Sequence, residues 1–487
     1  MLSELEDTTA KWGLGLFIFD AILLILFFFT ESVRGIIRKD LILNLFLLAG
    51  SLVIFSFIIF LASINGLEHR IHVFANTPVS SVYLNILVAT TWLFLIALPI
   101  GVLLLKLSGI ADGNNFYDFG AYYNAAERVI YRYPLYDSTT LYDKVTDLPS
   151  SPDRYLYAPI VSLLFVPFAY LQFQTAALVW SAVSITVYLI GITILVYSLN
   201  VELSLYSWIA VCLGVLAFGP FVITFIAGQV TGIVTGCLCL SAAMFQMQNK
   251  QRVSAASSLL TIPVAFKLYY APAGAPLLRD NHRLFISLLT GIIIALAGIF
   301  AFGIGTTIDY LNILADGKGW GAASDPPTEW NINDFHPLYY LGDLGHVLRA
   351  AFLGTIAVIS YQSRRHDFEY IDLYMYSFGL LGIVIGVPVF VTSGLTVTVP
   401  VILFLLVTTY RERPMVFLTV LASALLLHIH PYTNEFLVRI FTLYIESPRW
   451  ATLIIPAVQP AAWGIFLLII CTVYEYTRCC ARSEPVH

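Results

Sequence analysis

A succession of apolar runs, each about as long as a lipid bilayer is thick, is the feature that most constrains the fold of this chain. A helix needs roughly 20 apolar residues to cross the hydrocarbon core, and its backbone must satisfy its own hydrogen bonds there. Suitable runs are 12–30, 41–63, 81–106, 173–198, 204–226, 229–246, 284–304, 346–362, 369–389, 394–410, 414–430 and 451–476. The pattern predicts an all-α polytopic membrane protein.

Two further apolar stretches, 157–171 and 253–278, are interrupted by prolines. Proline removes a helix hydrogen bond, and broken segments at membrane depth persist mainly where protein or a wet cavity surrounds them. Each stretch could therefore be re-entrant or half-helical, and we expect about 11–14 membrane segments in all. The composition agrees, because only 11% of the residues are charged, whereas soluble proteins carry about 25%.

Positive charge indicates the orientation of the C-terminal half. The connections 279–283, 364–366 and 411–413 and the tail after Arg478 are basic. By the positive-inside rule they are expected to be cytoplasmic. The acidic connection 305–345 then lies on the opposite side of the membrane.

The orientation of the N-terminal half depends on the polar segment 107–156. If this segment lies outside, an odd number of crossings must separate it from the cytoplasmic Lys250 and Arg252. Since four apolar stretches lie between them, we expect the short 157–171 not to cross fully. Three basic residues argue against the outer placement: Arg34, Arg38 and Lys39.

The chain divides into three predicted parts. Residues 1–80 form a transmembrane hairpin, 81–283 a core with the outer loop 107–156, and 284–487 a C-terminal region with the outer loop 305–345. A net charge of -5 and the lack of a basic run argue against nucleic acid as a partner. Neither nucleotide-binding nor metal-binding motifs occur, so the partners should be membrane lipids and small polar molecules.

The acidic and aromatic segment 112–127 contains the main catalytic candidate. Asp118 opens a predicted helix beside aromatic residues, where partial desolvation would raise the pKa of its carboxyl and suit it to act as a general base. The alternative is an N-cap, because aspartate commonly begins helices. Asp112 is the alternative base, although its Asp-Gly-Asn-Asn context reads as a turn.

The remaining candidates could bind a substrate, and each also has a structural explanation. Cations can bind a phosphate, tyrosines can stack on a sugar or form an interfacial belt, and an amide at the start of a buried helix needs a partner. The cationic candidates are Arg128, Arg154, Lys267 and His336, and the others are Tyr122, Tyr123, Tyr157 and Gln229. Lys267 stands alone in an apolar run, which indicates function by default.

Several of these motifs together resemble glycosyltransferase family 87 over roughly residues 81–283. They are Asp118-Phe-Gly-Ala-Tyr-Tyr-Asn-Ala-Ala, Tyr133-Pro-Leu-Tyr, Tyr155-Leu-Tyr-Ala-Pro, Ala227-Gly-Gln and Ala265-Phe-Lys with the following Ala271-Pro. The resemblance implies a C-type glycosyltransferase fold with short helices in the first outer loop. It also implies a polyprenyl-phosphate-sugar donor, Asp118 as the base, and no metal or other cofactor.

The resulting hypothesis is an inverting transferase in the cell membrane. It would move a hexose, expected to be mannose, from the lipid phosphate to a glycan or lipid-linked acceptor on the extracytoplasmic side. A transporter or flippase for a polar lipid is the alternative, because the same carboxylates and tyrosines could bind cargo without bond breaking. A third possibility is a scaffold subunit that uses the loop as a docking surface.

Overall fold

A computed structural model of the chain describes residues 116–136, 155–201, 205–247, 249–315, 334–335, 338, 343–387, 390–409, 412–444 and 459–482. The chain divides into two compact units. Among the described residues, 205–222 belong to the smaller unit and all others to the larger one. The predicted spans 12–30, 41–63 and 81–106 lie outside the described residues, as do most of both predicted outer loops.

Short helices occur within the predicted loop 107–156 and directly after it. Helix α1 (Tyr117–Tyr131) is followed by two 3-10 helices, η1 (Pro159–Phe165) and η2 (Phe168–Tyr170). A 3-10 helix rises about 2.0 Å per residue, so η1 extends only about 14 Å, less than half the bilayer core. The stretch 157–171 therefore forms no spanning helix, as its prolines predict.

Four helices follow, namely α2 (Phe173–Ser198), α3 (Leu205–Ala217), α4 (Gly219–Ala227) and α5 (Thr231–Gln246). Helices α2 and α5 pack closely along their length in the larger unit. At their crossing, a Cβ added to Gly191 or Gly236 would overlap the backbone of the facing helix. Small residues at such a crossing let two membrane helices approach closely.

The proline-broken stretch 253–278 forms a hairpin. Helices α6 (Lys250–Leu259) and α7 (Thr261–Phe266) make one arm, and the 3-10 helix η3 (Leu268–Arg279) makes the other. Lys267 lies at the turn between the arms with extended backbone, φ -146° and ψ 122°. The half-helical expectation for this stretch is confirmed.

The remaining described residues are again mostly helical. Its elements are α8 (Asn281–Ala315), β1 (Asp334–Phe335), α9 (Asp343–Gln362), η4 (Ser363–Arg365), α10 (Ile371–Gly386), β2 (Phe390–Val391), η5 (Thr392–Thr398), α11 (Val399–Thr409), α12 (Pro414–Tyr444) and α13 (Pro460–Arg482). Strands β1 and β2 form a single antiparallel pair, Asp334 opposite Val391. This pair joins the loop before α9 to the end of α10, which places both on one side of the bundle.

Six helical segments within the described part of the chain are long and apolar enough to cross a membrane. They are Phe173–Ser198, Asn281–Ala315, Asp343–Arg365, Thr392–Thr409, Pro414–Pro431 and Pro460–Arg482. Two shorter apolar helices, α5 and α10, accompany them. The prediction of an all-α polytopic membrane protein is confirmed, with the two-residue strand pair as a minor addition.

Buried ion pairs join the basic helix ends. Asp372, at the start of α10, accepts hydrogen bonds from Arg279 at the end of η3 and from Arg283 in α8, with Arg283 Nη1 at 2.8 Å. Arg413 likewise binds the fully buried Glu475 of α13. Because an ion pair out of water is stable only with good partners, these contacts fix the helix ends relative to one another.

Candidate active site

The break between α4 and α5 is the surface on which helix α1 docks. Gly228 in this break has φ +70°, a conformation that side chains rarely adopt. Phe116 donates its backbone N–H to the Ile226 carbonyl at 3.2 Å, and Trp180 donates its indole N–H to the Gly228 carbonyl at 2.8 Å. A glycine therefore allows the N-terminal end of α1 to lie directly against the break.

Replacing Gly228 by alanine should loosen this docking. A Cβ at this position would lie 2.7 Å from Phe119 Cβ and 3.0 Å from Phe116 Cδ1, and the positive φ adds strain. We expect a loss of about 1–3 kcal/mol in unfolding free energy, measured as a lower Tm in detergent. In Gly354→Ala, the control, the new Cβ has no neighbour within 4 Å. If both variants melt like the wild type, the close packing of Gly228 is refuted.

Asp118 is the second residue of α1 and not its N-cap. The N-cap is Phe116, which has a left-handed backbone and no side-chain capping bond. The Asp118 side chain is half-buried, and its charge acts on three tyrosines and a lysine: Tyr122, Tyr157, Tyr269 and Lys267. The carboxylate therefore belongs to a polar cluster, which removes the simple capping explanation.

Within this cluster, a pair of tyrosine hydroxyl groups joins helix α1 to the segment before η1. The Tyr122 and Tyr157 hydroxyls lie 2.7 Å apart, and the positive charge of Lys267 acts on Tyr157. The Val230 backbone N–H lies near the Tyr122 hydroxyl. Burial raises the pKa of the Tyr122 phenol well above its ordinary value, and the Asp118 charge adds to the rise. The phenol therefore stays protonated and can donate.

Lys267 is held in place by aromatic rings. Its Nζ lies 5.3 Å from the centroid of the Tyr157 ring and 5.5 Å from that of Tyr269. Such cation–π contacts stabilise a desolvated ammonium, and the Asp118 carboxylate adds opposite charge nearby. The hairpin turn therefore brings Lys267 into electrostatic range of the carboxylate of α1.

Gln229 lies at the edge of the same cluster. Its Oε1 accepts hydrogen bonds from the hydroxyls of Thr231 and Ser393, both at 3.0 Å. The Thr231 hydroxyl also lies near the Tyr270 phenol. A buried amide bonded through its oxygen has a fixed direction, so its NH₂ group is fixed as well.

An apolar cavity of about 780 Å³ opens beside the cluster. It lies between η1, the hairpin, α8 and α9, and its lining includes Pro159, Ala265, Leu268, Gly298 and Leu353. Pro159 and Leu268 are each within two residues of the polar cluster, because they follow Tyr157 and Lys267 in the chain. A ligand with an apolar tail and a polar head could occupy the cavity and the cluster together.

Two predicted site residues lie away from this cluster. Tyr123 donates its hydroxyl to the Leu171 carbonyl at 2.8 Å, and its ring packs on Phe173. Arg128 is buried and donates to the Pro134 carbonyl at 2.8 Å. Ten residues of helix separate Arg128 from Asp118, about 15 Å along the axis. Asp112, Arg154 and His336 lie outside the described residues.

Sequence reasoning missed several members of the cluster. Tyr269 and Tyr270 directly follow Lys267 in a broken apolar run, so the same signal that selected the lysine could have found them. Ser393 carries no local signal, since it lies 164 residues from Gln229 and in an apolar context. Among the described residues, no group of three His, Cys, Asp or Glu side chains could hold a metal ion.

Glu127 gives α1 a pH-dependent stability. Burial raises the pKa of its carboxyl from 4.5 to about 7, and Oε2 has no hydrogen-bond partner among the described residues. A raised pKa in the folded state means that the associated stability is present below about pH 4.5 and is lost as the pH rises through 7. Glu127→Gln should therefore raise Tm at pH 8 but hardly at pH 4.5. An equal shift at both pH values would contradict this linkage.

The architecture and the site define a class: a multi-pass helical membrane protein with a carboxylate and a cation in electrostatic range of each other beside an apolar cavity. The model of glycosyltransferase family 87 matches residues 155–367. This match confirms the resemblance to that family over these residues. It supports a membrane glycosyltransferase. Searches of curated proteins and of solved structures gave no significant match.

The match extends further along the chain than the sequence motifs do. It begins at Tyr155 and continues to Asp367, so it includes Tyr157, Gln229 and Lys267 but not Asp118. Asp118 is connected to the matched region by structure, through its electrostatic effect on Tyr157 and Lys267.

Proposed function

We propose that the protein is a membrane glycosyltransferase that moves a hexose, expected to be mannose, from a polyprenyl-phosphate donor to a hydroxyl of a glycan or lipid-linked acceptor. The observation that carries the proposal is the electrostatic interaction of Asp118 with Lys267 beside the apolar cavity. Sugar transfer from a lipid phosphate needs a base for the acceptor, a cation for the leaving phosphate, and a place for the lipid. The cluster and the cavity supply one of each.

Lys267 would bind the phosphate of the donor. Its ammonium has three N–H donors, and its charge acts on the nearby Tyr157. A phosphate within reach could accept another N–H bond and one from the Tyr157 or Tyr122 hydroxyl. As the glycosidic bond breaks, negative charge grows on the leaving phosphate oxygen, and a fixed cation there stabilises the transition state more than the ground state.

The cavity between α8 and α9 would hold the beginning of the polyprenyl chain. Helix α8 is largely exposed along its apolar length, so the cavity adjoins the surface that faces lipid. Burying an apolar chain contributes about 25 cal/mol per Å², which favours a lipid-linked donor over a soluble one. The donor could then enter sideways from the bilayer.

Asp118 would act as the general base. It would remove the proton of the acceptor hydroxyl while that oxygen attacks the anomeric carbon, and the C–O bond to the phosphate breaks on the opposite side. A single displacement of this kind inverts the anomeric configuration. The half-buried position of Asp118 limits competing water, which would otherwise hydrolyse the donor.

The proposed site lies toward the extracytoplasmic side. Lys250 and Arg279, at the two ends of the hairpin, are on the basic side that the positive-inside rule assigns to the cytoplasm. Helices α6 and α7 together rise about 25 Å, which is close to the thickness of the bilayer core. Lys267 at the turn is therefore remote from the basic side.

The direct test is a transfer assay with the purified protein in detergent. Radiolabelled polyprenyl-phosphate mannose is mixed with a candidate lipid-linked acceptor, and both labelled product and free polyprenyl phosphate are quantified. We expect stoichiometric release of polyprenyl phosphate with product formation. Movement of the intact donor across vesicles without release would instead support the transporter class and overturn the proposal.

A further inference from the structure

Gln229 presents an amide NH₂ group in a fixed direction. Its side chain is buried, and its Oε1 is occupied by the hydroxyls of Thr231 and Ser393. Among the described residues, no acceptor binds its Nε2. Because the amide is planar, fixing the oxygen also fixes both N–H directions. A largely buried side chain whose amide N–H groups have no protein acceptor indicates a place for a ligand oxygen.

The neighbours of Gln229 connect it to the elements that carry the two proposed reactive groups. On one side, Gly228 packs closely on Phe119, which belongs to the helix of Asp118. On the other side, Thr231, which bonds to Gln229, lies near Tyr270, and Tyr270 follows the Lys267 turn. In the proposed reaction, Asp118 lies near the anomeric carbon and Lys267 near the phosphate. The sugar ring is the part of the donor that lies between them.

Ser393 belongs to a segment that the family match does not include. Two contacts join helix η5 to α4. The Thr224 hydroxyl of α4 donates a hydrogen bond to the Ser393 carbonyl at 3.0 Å, and it lies 3.2 Å from the Thr396 hydroxyl. All of these side chains are buried. Ser393, which follows the matched region, therefore helps to fix the direction of the Gln229 amide within that region.

We infer that Gln229 donates an amide N–H to one hydroxyl of the transferred hexose and that Ser393 and Thr231 are positioning residues that aim it. This inference rests on the proposed function and deepens it, because it assigns recognition of the sugar to a named group. The amide would discriminate between hexoses that present or lack an oxygen at that position. A site built to bond a hydroxyl rejects the analogue without it more strongly than a merely close-fitting site does.

The test compares donors that each lack one sugar hydroxyl. Wild-type protein and Gln229→Met are assayed with polyprenyl-phosphate mannose and with its 2-, 3-, 4- and 6-deoxy forms. For one of these donors we expect kcat/KM of the wild type to fall about tenfold or more, whereas Gln229→Met is low on mannose and falls no further on that donor. Unchanged discrimination by Gln229→Met would overturn the inference.

Ser393 is tested separately as a positioning residue. Ser393→Ala should raise the donor KM several-fold with little change in kcat, and Ser393→Thr, which keeps the hydroxyl, should restore it. Ser254→Ala is the matched control, because the Ser254 hydroxyl bonds only to the Lys250 carbonyl of its own helix. A KM for Ser393→Ala equal to that of the control would refute the positioning role.

The same measurements distinguish a failure of the proposed function from a failure of the inference about Gln229. If the wild type transfers none of the donors and releases no lipid phosphate, the proposed function fails. If the wild type transfers mannose and both variant tests give the contrary result, only the inference fails.

Discussion

Asp118→Asn should abolish sugar transfer while leaving the fold and donor binding intact. Asparagine keeps the size and polarity of the side chain but cannot accept the proton of the acceptor hydroxyl. Loss of a general base costs about 10²–10⁴-fold in rate, and we expect kcat to fall by at least this much with little change in the donor KM. Initial rates at saturating donor, together with donor binding and Tm, provide the measurement.

The matched control for this variant is Asp343→Asn. Asp343 is an exposed carboxylate in the first turn of α9, so its loss removes the same charge without touching the cluster. It should retain full activity. Turnover by Asp118→Asn above about a tenth of the wild-type rate would be incompatible with general-base catalysis by Asp118. Asp118→Glu should recover part of the activity, because it restores a base at a slightly different position.

Lys267→Met is expected to weaken binding of the donor and slow its reaction. Methionine fills the space beside the Tyr157 and Tyr269 rings but offers neither charge nor N–H donors. Hydrogen bonds to charged groups contribute about 1.5–3 kcal/mol, which corresponds to a loss of roughly 10- to 100-fold in kcat/KM. The effect should be seen with polyprenyl-phosphate mannose, and free polyprenyl phosphate should lose potency as an inhibitor in parallel.

Two further variants show whether the effect arises from weaker binding of the donor phosphate. Lys250→Met removes an exposed lysine at the other end of the same hairpin arm and should behave like the wild type. Lys267→Arg keeps the charge and should retain more activity than methionine, although the wider guanidinium must displace the aromatic rings. Undiminished inhibition of Lys267→Met by free polyprenyl phosphate would exclude Lys267 as its ligand.

Much of the fold follows from hydropathy alone. The predicted run 173–198 coincides with α2, and the basic connections mark the clustered helix ends around Asp372 and Glu475. The internal break of 204–226 into α3 and α4 was not predicted, because glycine and proline at 219 and 220 interrupt a run that remains apolar throughout. Hydropathy indicates whether a segment lies in lipid or in water. The position of a helix break depends instead on local backbone geometry.

The candidate site was predictable only where its signal is local. Lys267 could be selected from the sequence because an isolated cation in an apolar run is costly to bury. Such a residue therefore indicates a functional site. The distinction between Tyr122, which joins the cluster, and Tyr123, which bonds to Leu171, was not, because adjacent helical residues point about 100° apart and the sequence does not say which direction faces the hairpin. Pairings over long separations, such as Gln229 with Ser393, require the fold.

The clamp of Arg279 and Arg283 on Asp372 has a consequence for biosynthesis. The proposed reactive residues, Asp118 and Lys267, leave the ribosome well before Asp372, which joins Arg279 to Arg283, and before Ser393, which holds Gln229. A nascent chain that ends near residue 300 would contain the proposed reactive groups without these anchors. Under the proposed function, competence should therefore arise late in synthesis.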